Sequence, residues 1–176
     1  AEEFKLDFGK TINLNSLQSR IKKLKKWYVD NGYSLARISG PNRITADGVV
    51  QLTVLEGTVS AVRISFLNKE GDSINEKGKP IRGKTKPWFI QREISMKPND
   101  LFNRSQLESD IKRLYATSLF SDIKVSLKPV QGEVGKFTID LGIIEQSTGT
   151  LTGGVGFSQG QGGFGQIGLG ESNFLG

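Results

Sequence analysis

One folding unit is written twice in this chain. Glu3, Phe4, Leu6, Ile12, Asn13, Leu17, Ile21 and Leu24 recur 90 positions later as Glu93, Ile94, Met96, Phe102, Asn103, Leu107, Ile111 and Leu114, without a gap. Beyond Leu24 the offset falls to 87, so that Tyr33, Ser34 and Ile38 match Phe120, Ser121 and Val125. In the last strand it is 89, and Val50, Leu52, Val54 and Glu56 match Ile139, Leu141, Ile143 and Glu145. Drift of a few residues confined to turns marks tandem domains, so repetition settles the architecture before any single motif is weighed.

The repeat predicts a domain over 1–57, a second over 58–146, and a different, glycine-rich segment over 147–176. Domains this small sit near the size at which one apolar core suffices. The first copy lacks counterparts of Val59–Phe66 and Pro87–Ile90, so it is expected to be cut short at its start. No signal peptide opens the sequence, which is read as a mature or excised segment.

Composition removes several function classes. There is neither cysteine nor histidine, which takes away disulfides, thiolate metal sites, the commonest zinc ligand and the commonest general base. Carboxylate neighbours such as Glu2/Glu3 and Glu108/Asp110 lack helical i,i+3 or i,i+4 spacing, and no nucleophile has a base beside it. Neither an enzyme nor a cofactor is expected. The net charge of +6 and pI of about 9.6 are compatible with anionic partners.

Apolar periodicity places the elements. Leu17, Ile21, Leu24 and Tyr28 form a helical stripe, and Leu107, Ile111, Leu114 and Tyr115 its counterpart. Asn13 and Asn103 stand at the helix starts as caps, and Gln106 completes the spacing of a capping box. Alternation predicts strands over Leu35–Ser39 and Asp122–Lys128, then Val49–Leu55 and Lys136–Ile144, with Val62, Ile64 and Phe66 on a strand that opens the second copy. Between Asn68 and Lys86 lies a Gly/Lys/Glu-rich insertion without hydrophobic period, expected as a mobile surface loop ended by Pro87 at the next helix start. The unit reads strand–helix–helix–strand–strand, an α+β class with a small sheet.

From Ser147 the pattern changes: 11 of the last 30 residues are glycine. Leu151, Val155 and Phe157 alternate with Thr152, Gly154 and Gly156, and Ile167 and Leu169 alternate with Gln166, Gly168 and Gly170. Apolar-out, small-or-polar-in alternation is the signature of a membrane β-barrel. Two strands alone are marginal in water, so Gly149–Gly176 is expected to be mobile or paired with another copy.

These features resemble POTRA domains of BamA-type outer-membrane assembly proteins. The Asn-started helix ending in Leu114-Tyr115, the run Leu119–Val125, the strand end Val54–Gly57 and the tail Gly153–Gly176 with Ser172–Gly176 at its close carry the resemblance. The insertion at 68–86 and Asp30–Tyr33 are similar to the cyanobacterial and plastid branch. The resemblance implies tandem POTRA units (mixed sheet, two helices on one face) in the periplasm, or in the intermembrane space of a plastid, before the chain's own membrane barrel. It also implies that unfolded outer-membrane or translocated precursors are the partners, with accessory subunits besides.

The implied mechanism is β-augmentation, in which an exposed strand edge accepts an extended chain. The resemblance places the usable edge on the penultimate strand of each unit: Asp122, Ile123, Lys124, Val125, Ser126 and Leu127, and Leu35, Ala36, Arg37 and Ile38. Ile123, Val125 and Leu127 would hold the edge to the core, with Lys124, Ser126 and Lys128 on the polar face. The family also admits a pore-gating or accessory-subunit scaffold. A reading from another class rests on Arg20, Lys22, Lys23, Lys25 and Lys26, a basic face on the first long helix, solvated or contacting anionic lipid or polymer at about 1 kcal/mol per charge.

Further motifs carry weaker signals. Gly160-x-Gly162-x-x-Gly165 matches the dinucleotide fingerprint, yet a strand pattern follows where that motif needs a helix. Asn103-Arg104-Ser105 has the form of a glycosylation sequon, but alignment with Asn13 favours capping. Nucleic acid would call for stacking aromatics among the basic residues, and Tyr28 belongs to the apolar stripe. Of Trp88 and Phe89, one is expected in the core and the other partly exposed.

Overall fold

The computed structural model describes Gly9 and residues 13–147, 149–158 and 162–171. Glu2, Glu3, Phe4, Leu6, Ile12, Gly160 and Ser172–Gly176 lie outside the described residues. Element order is α1 (Leu14–Asp30), β1 (Arg37–Ile44), β2 (Val50–Leu55), β3 (Thr58–Phe66), α2 (Pro87–Glu93), α3 (Arg104–Ala116), β4 (Phe120–Pro129), β5 (Lys136–Glu145), β6 (Gly149–Ser158) and β7 (Gly162–Glu171). The α+β class and the strand–helix–helix–strand–strand order of the second copy are as the repeat implied. Helix α1 has 17 residues and α3 has 13, about one turn's difference, and it falls where the repeat offset drops from 90 to 87.

Strands β1 and β2 form one antiparallel pair, with Ile38 opposite Val54 and a register shift between Ser39 and Arg43. A three-stranded sheet runs in the order β3-β5-β4. Along β3 and β5 the pairings Ser65 Oγ to Leu141 O and Leu67 N to Ile143 O advance together, the parallel sense. Hairpin neighbours β4 and β5 run antiparallel, so the sheet is mixed. Strands β6 and β7 pair antiparallel over ten positions, Gly149 opposite Glu171 through Ser158 opposite Gly162.

Two compact units divide the chain. The first comprises Ala1–Arg63, Ser95–Asp110 and Ser126–Asp140. Asn13 Oδ1 accepts from the N–H of Asn15 and Ser16 at 3.0 and 3.1 Å, and Asn103 Oδ1 accepts from Gln106 N at 3.1 Å. Both asparagines therefore cap as expected. Gln106 does not close a capping box, because its Nε2 donates to Asp110 Oδ1 at 3.0 Å. Asp110 is 0% exposed and also accepts from Ser95 N and Ser95 Oγ at 2.8 and 2.9 Å. Charge-assisted bonds compensate the burial of a carboxylate that would otherwise be costly. Leu17, Ile38, Val59, Met96, Phe102, Leu107 and Ile139 are the buried apolar residues of this unit.

The second unit comprises Ile64–Ile94, Ile111–Val125 and Leu141–Gly176. Ile90, Ile94, Leu114, Phe120, Ile123, Leu141, Ile143 and Ile144 are buried. Tyr115 departs from the expected stripe: it is exposed, and its hydroxyl reaches Asp122. Leu114 alone faces inward because neighbouring helical positions lie about 100° apart.

The 68–86 insertion is a surface loop, as expected, and it is built from hydrogen-bonded turns. Asn68 Oδ1 accepts from Asp72 N at 2.7 Å, and Asn75 Oδ1 from the N–H of Lys77 and Lys79 at 3.0 Å each, so two asparagine-closed turns stand in succession. Ile74 bridges Pro80 across the base of the second. Its end is pinned where Glu145 accepts from Lys84 N and Thr85 N at 2.8 and 2.7 Å, and Thr85 is 1% exposed. Turn chemistry of this kind leaves no trace in hydrophobic periodicity.

Among the described residues no helix is long and apolar enough to cross a membrane, which leaves strands unaddressed. In the β6–β7 hairpin Ile167 and Leu169 are 79% and 84% exposed.

Candidate functional site

A sheet in the order β3-β5-β4 has two edges, and they differ. The outer side of β3 is occupied at its start: Thr58 bridges Leu101, Val59 N donates to Asp100 O at 2.8 Å, and Asn99 N donates to Val59 O at 2.7 Å. The side of β4 away from β5 pairs with no described strand. An unpaired row of N–H and C=O groups is a template for another strand.

Along β4 the side chains alternate as the sequence predicted, but their burial does not. Phe120 and Ile123 are buried and Leu127 is half-buried. Val125, expected to hold the edge to the core, is 41% exposed. An edge strand is covered from one flank only, and apolar alternation reports the face without reporting whether anything lies over it. On the other face Lys124, Ser126 and Lys128 are exposed, and Lys128 Nζ pairs with Asp140 Oδ2 at 2.7 Å. A Cβ at Gly71 would lie 2.4 Å from Lys124 Nζ, so the first turn of the insertion sits against that lysine.

The start of β4 is tied to α3. Tyr115 Oη donates to Asp122 Oδ1 at 3.0 Å, and Ile123 N donates both to Tyr115 Oη at 2.9 Å and to Asp122 Oδ1 at 2.8 Å. The aspartate–tyrosine pair was not anticipated. The seven-residue separation of Tyr115 and Asp122 across a helix–strand turn is its only trace in the chain.

The corresponding strand of the first copy begins later than expected. Leu35 and Ala36 precede β1: Ala36 N donates to Tyr33 O at 3.0 Å, and a Cβ at Gly57 would meet Leu35 Cβ at 2.5 Å. The tyrosine turn and the packing of Leu35 on a glycine take these two residues out of the extended run. Arg37 and Ile38 are in β1, opposite Leu55 and Val54, with Ile38 buried and Arg37 exposed.

On α1, Lys22, Lys23, Lys25 and Lys26 are exposed and Arg20 is half-buried. Lys26 pairs with Asp30 at 2.8 Å one turn away, a bond of low worth at this exposure. Beside this face Trp27 stacks on Tyr33 at 6.5 Å, and Tyr28 meets both rings edge-on at 5.3 and 6.1 Å. Tyr28 Oη donates to Glu56 at 2.6 Å. That hydrogen bond, with burial and the carboxylate's charge, pushes the Tyr28 hydroxyl up from 10.0 to about 12. The raised value means that the bond's stabilisation is complete below about pH 10 and is lost as pH rises through about 12. Tyr28→Phe is expected to cost about 1 kcal/mol at neutral pH, and Glu56→Gln to bring the Tyr28 titration, followed by ultraviolet absorbance, back towards 10. An unchanged midpoint in Glu56→Gln would refute the assignment.

On α2, Trp88 is exposed and Phe89 half-buried, so neither fills the core position expected of one of them, and the Arg92 guanidinium lies 5.6 and 5.0 Å from their ring centres. Gly162 and Gly165 lie in strand β7, where a dinucleotide fingerprint would need a helix. Among the described residues no three His, Cys, Asp or Glu side chains are grouped to hold a metal ion.

Comparison with known proteins agrees with the fold. The family described as POTRA domain, ShlB-type, matches residues 7–57, and the POTRA family described as surface antigen variable number repeat matches residues 73–146. POTRA1-3 of the periplasmic domain of Omp85 from Anabaena is 42% identical, with a TM-score of 0.75 over 83% of this chain and 56% of that one. Outer envelope protein 80, chloroplastic, of Arabidopsis thaliana is 29% identical over 90% of this chain and 20% of its own length. The outer membrane protein assembly factor BamA of Nitratidesulfovibrio vulgaris is 30% identical over 88% of this chain and 19% of its own length. The chain thus spans about a fifth of the curated relatives it matches. With POTRA families matching each copy of the repeat, and with cyanobacterial and plastid relatives across most of its length, the chain belongs to the POTRA-domain family of Omp85-type proteins.

Proposed function

We propose that this chain is the periplasmic substrate-docking part of an outer-membrane β-barrel assembly or translocation protein. It binds extended precursor polypeptides by β-augmentation and does no catalysis. The observation that carries this reading is the β4 edge: a strand at the margin of its sheet, with Val125 exposed and lysines flanking. Binding through backbone groups tolerates many sequences, as a receptor for varied unfolded precursors requires. The exposed Lys124 and Lys128 discourage pairing with a second copy without closing the edge.

In this reading residues 1–57 and 58–146 are successive POTRA domains and 147–176 opens the chain's own membrane barrel. Support for the last comes from strand length and exposure. The ten residues of β6 and of β7 suit a tilted membrane-spanning strand, and Ile167 and Leu169 are uncovered on the face that lipid would meet. The location follows: outer membrane, with the soluble part in the periplasm or its plastid equivalent.

The test is a titration of the isotope-labelled chain with a short peptide of alternating threonine and valine carrying a lysine at each end, at low and high salt. Amide shifts within Lys124–Leu127 or on Arg37–Ile38 that survive high salt are expected, because ladder hydrogen bonds are screened far less than exposed charge pairs. The exposed lysines of α1 favour one rival, contact with anionic lipid or polymer. It predicts instead that vesicles containing anionic lipid shift only Arg20–Lys26, and that salt or Lys→Gln substitution at 22, 23, 25 and 26 abolishes the effect. Absence of shifts under all conditions would leave a gating or accessory-subunit scaffold.

A further inference from the structure

An edge strand offers a partner only the backbone groups that point outward, and on β4 one of them is already taken. In an antiparallel ladder successive residues direct their N–H and C=O alternately towards the neighbouring strand and away from it. The Ile123 N–H meets the phenol of Tyr115 and the carboxylate of Asp122, at 2.9 and 2.8 Å, so it points away from β5. By alternation Val125 and Leu127 also point outward. The next outward position is Pro129, which has no N–H to give.

The outward face of β4 is therefore bounded at both ends. We propose that Tyr115 and Asp122 form a register stop, which confines a docking strand to the stretch opposite Val125 and Leu127. This inference rests on the docking function proposed above and adds to it the footprint and character of the ligand. Tyr115 suits this role, because its Oη accepts from Ile123 N as a partner strand's carbonyl would, and its own proton goes to Asp122 at 3.0 Å. An incoming chain reaching Ile123 would have to displace a phenol already satisfied on both sides.

The stop also selects what docks. The ligand is a short extended segment rather than a long strand. Its side chain beside Val125, 41% exposed, is apolar, and its neighbours on the opposite face are polar or acidic, since Lys124 lies there. Tyr115 is on this account a positioning residue for the docking edge, acting through the backbone of Ile123.

Two variants test it in the full chain: Tyr115→Phe, which keeps the ring and removes the hydroxyl, and Tyr115→Phe with Asp122→Ala, which opens the position. The probe is the threonine–valine peptide, and the readouts are amide shifts, amide hydrogen exchange and affinity. In the native chain the peptide is expected to shift Val125 and Leu127 and leave Ile123 unchanged. In the double variant Ile123 should exchange faster without peptide, become protected when it is added, and bind it about two- to tenfold more tightly, the worth of one further backbone hydrogen bond. Equal footprints and affinities in native and double-variant chains, or an Ile123 shift already present in the native chain, would overturn the register stop while leaving docking on β4 intact. No β4 shift in either chain would overturn docking itself, and the stop with it.

Discussion

Asp110→Ala lowers the unfolding free energy by about 3 kcal/mol, the larger of two effects expected from single changes outside the docking edge. Asp110 is fully buried and accepts from Ser95 N, Ser95 Oγ and Gln106 Nε2 at 2.8, 2.9 and 3.0 Å. Hydrogen bonds to a charged acceptor contribute about 1.5–3 kcal/mol each when one partner is removed. They do not add fully, because deleting the carboxylate also removes its own desolvation cost. The bonds join the segment after α2 to α3, so their loss slackens the helix that carries Tyr115. With a urea slope of about 2 kcal/mol per molar, the midpoint should fall by about 1.5 M. Asp110→Asn keeps one acceptor oxygen but sets an amide against one of the donors, and should cost roughly half as much. A loss below about 1 kcal/mol in Asp110→Ala would show that water replaces the carboxylate and that the network does not hold α3.

Gly32→Ala is expected to cost about 2–3 kcal/mol, and the reason is a close approach as much as a dihedral angle. Gly32 has φ of +86°, where an L side chain is strained by about 1 kcal/mol. A Cβ there would lie 2.4 Å from Asn103 Oδ1, the atom that caps α3. Asn103 Nδ2 donates to Asn31 O at 3.0 Å, and Arg104 N donates to Gly32 O at 2.8 Å. A methyl at Gly32 thus displaces the cap, worth about 1 kcal/mol, and loosens the bonds between the end of α1 and the start of α3. A double-mutant cycle separates the two contributions. In an Asn103→Gly background, which removes the capping side chain at a cost of only a few tenths of a kcal/mol, Gly32→Ala should cost only the backbone strain of about 1 kcal/mol. Equal costs in both backgrounds, measured by urea unfolding, would eliminate the contact with Asn103 as a cause.

Both effects concern residues whose sequence signal was partial. Asn103 was legible as a cap because its repeat partner Asn13 occupies the same place, and both accept from the N–H groups of the following turn. The role of Gly32 was not legible, since a glycine in a turn does not announce what lies against it. Asp110 aligns with Arg20 in the first copy, so repetition points away from a shared role. Gln106 fitted a capping box by spacing alone, and a buried acceptor one turn on drew it away. Glu56 and Glu145 are repeat partners with different work: one accepts from Tyr28, the other from the backbone at the end of the insertion. Repetition carries over positions in the fold more faithfully than the partners met there.

The amino-acid sequence determined by itself what depends on short-range periodicity. A 3.6-residue stripe gave the long helices, alternation gave the strands, asparagines marked the helix starts, and the recurrence of that pattern marked a repeated unit, which resembles a POTRA domain. Each of these follows from side chains a few residues apart, which the local backbone must place on one face or another. Only the tertiary structure decided which edge is open and how far. Residues 99–101 lie along the start of β3, and Tyr115 and Asp122 occupy the outward amide of Ile123. A free edge is defined by what fails to cover it, and covering is settled by segments brought together from distant parts of the chain. No periodicity records that.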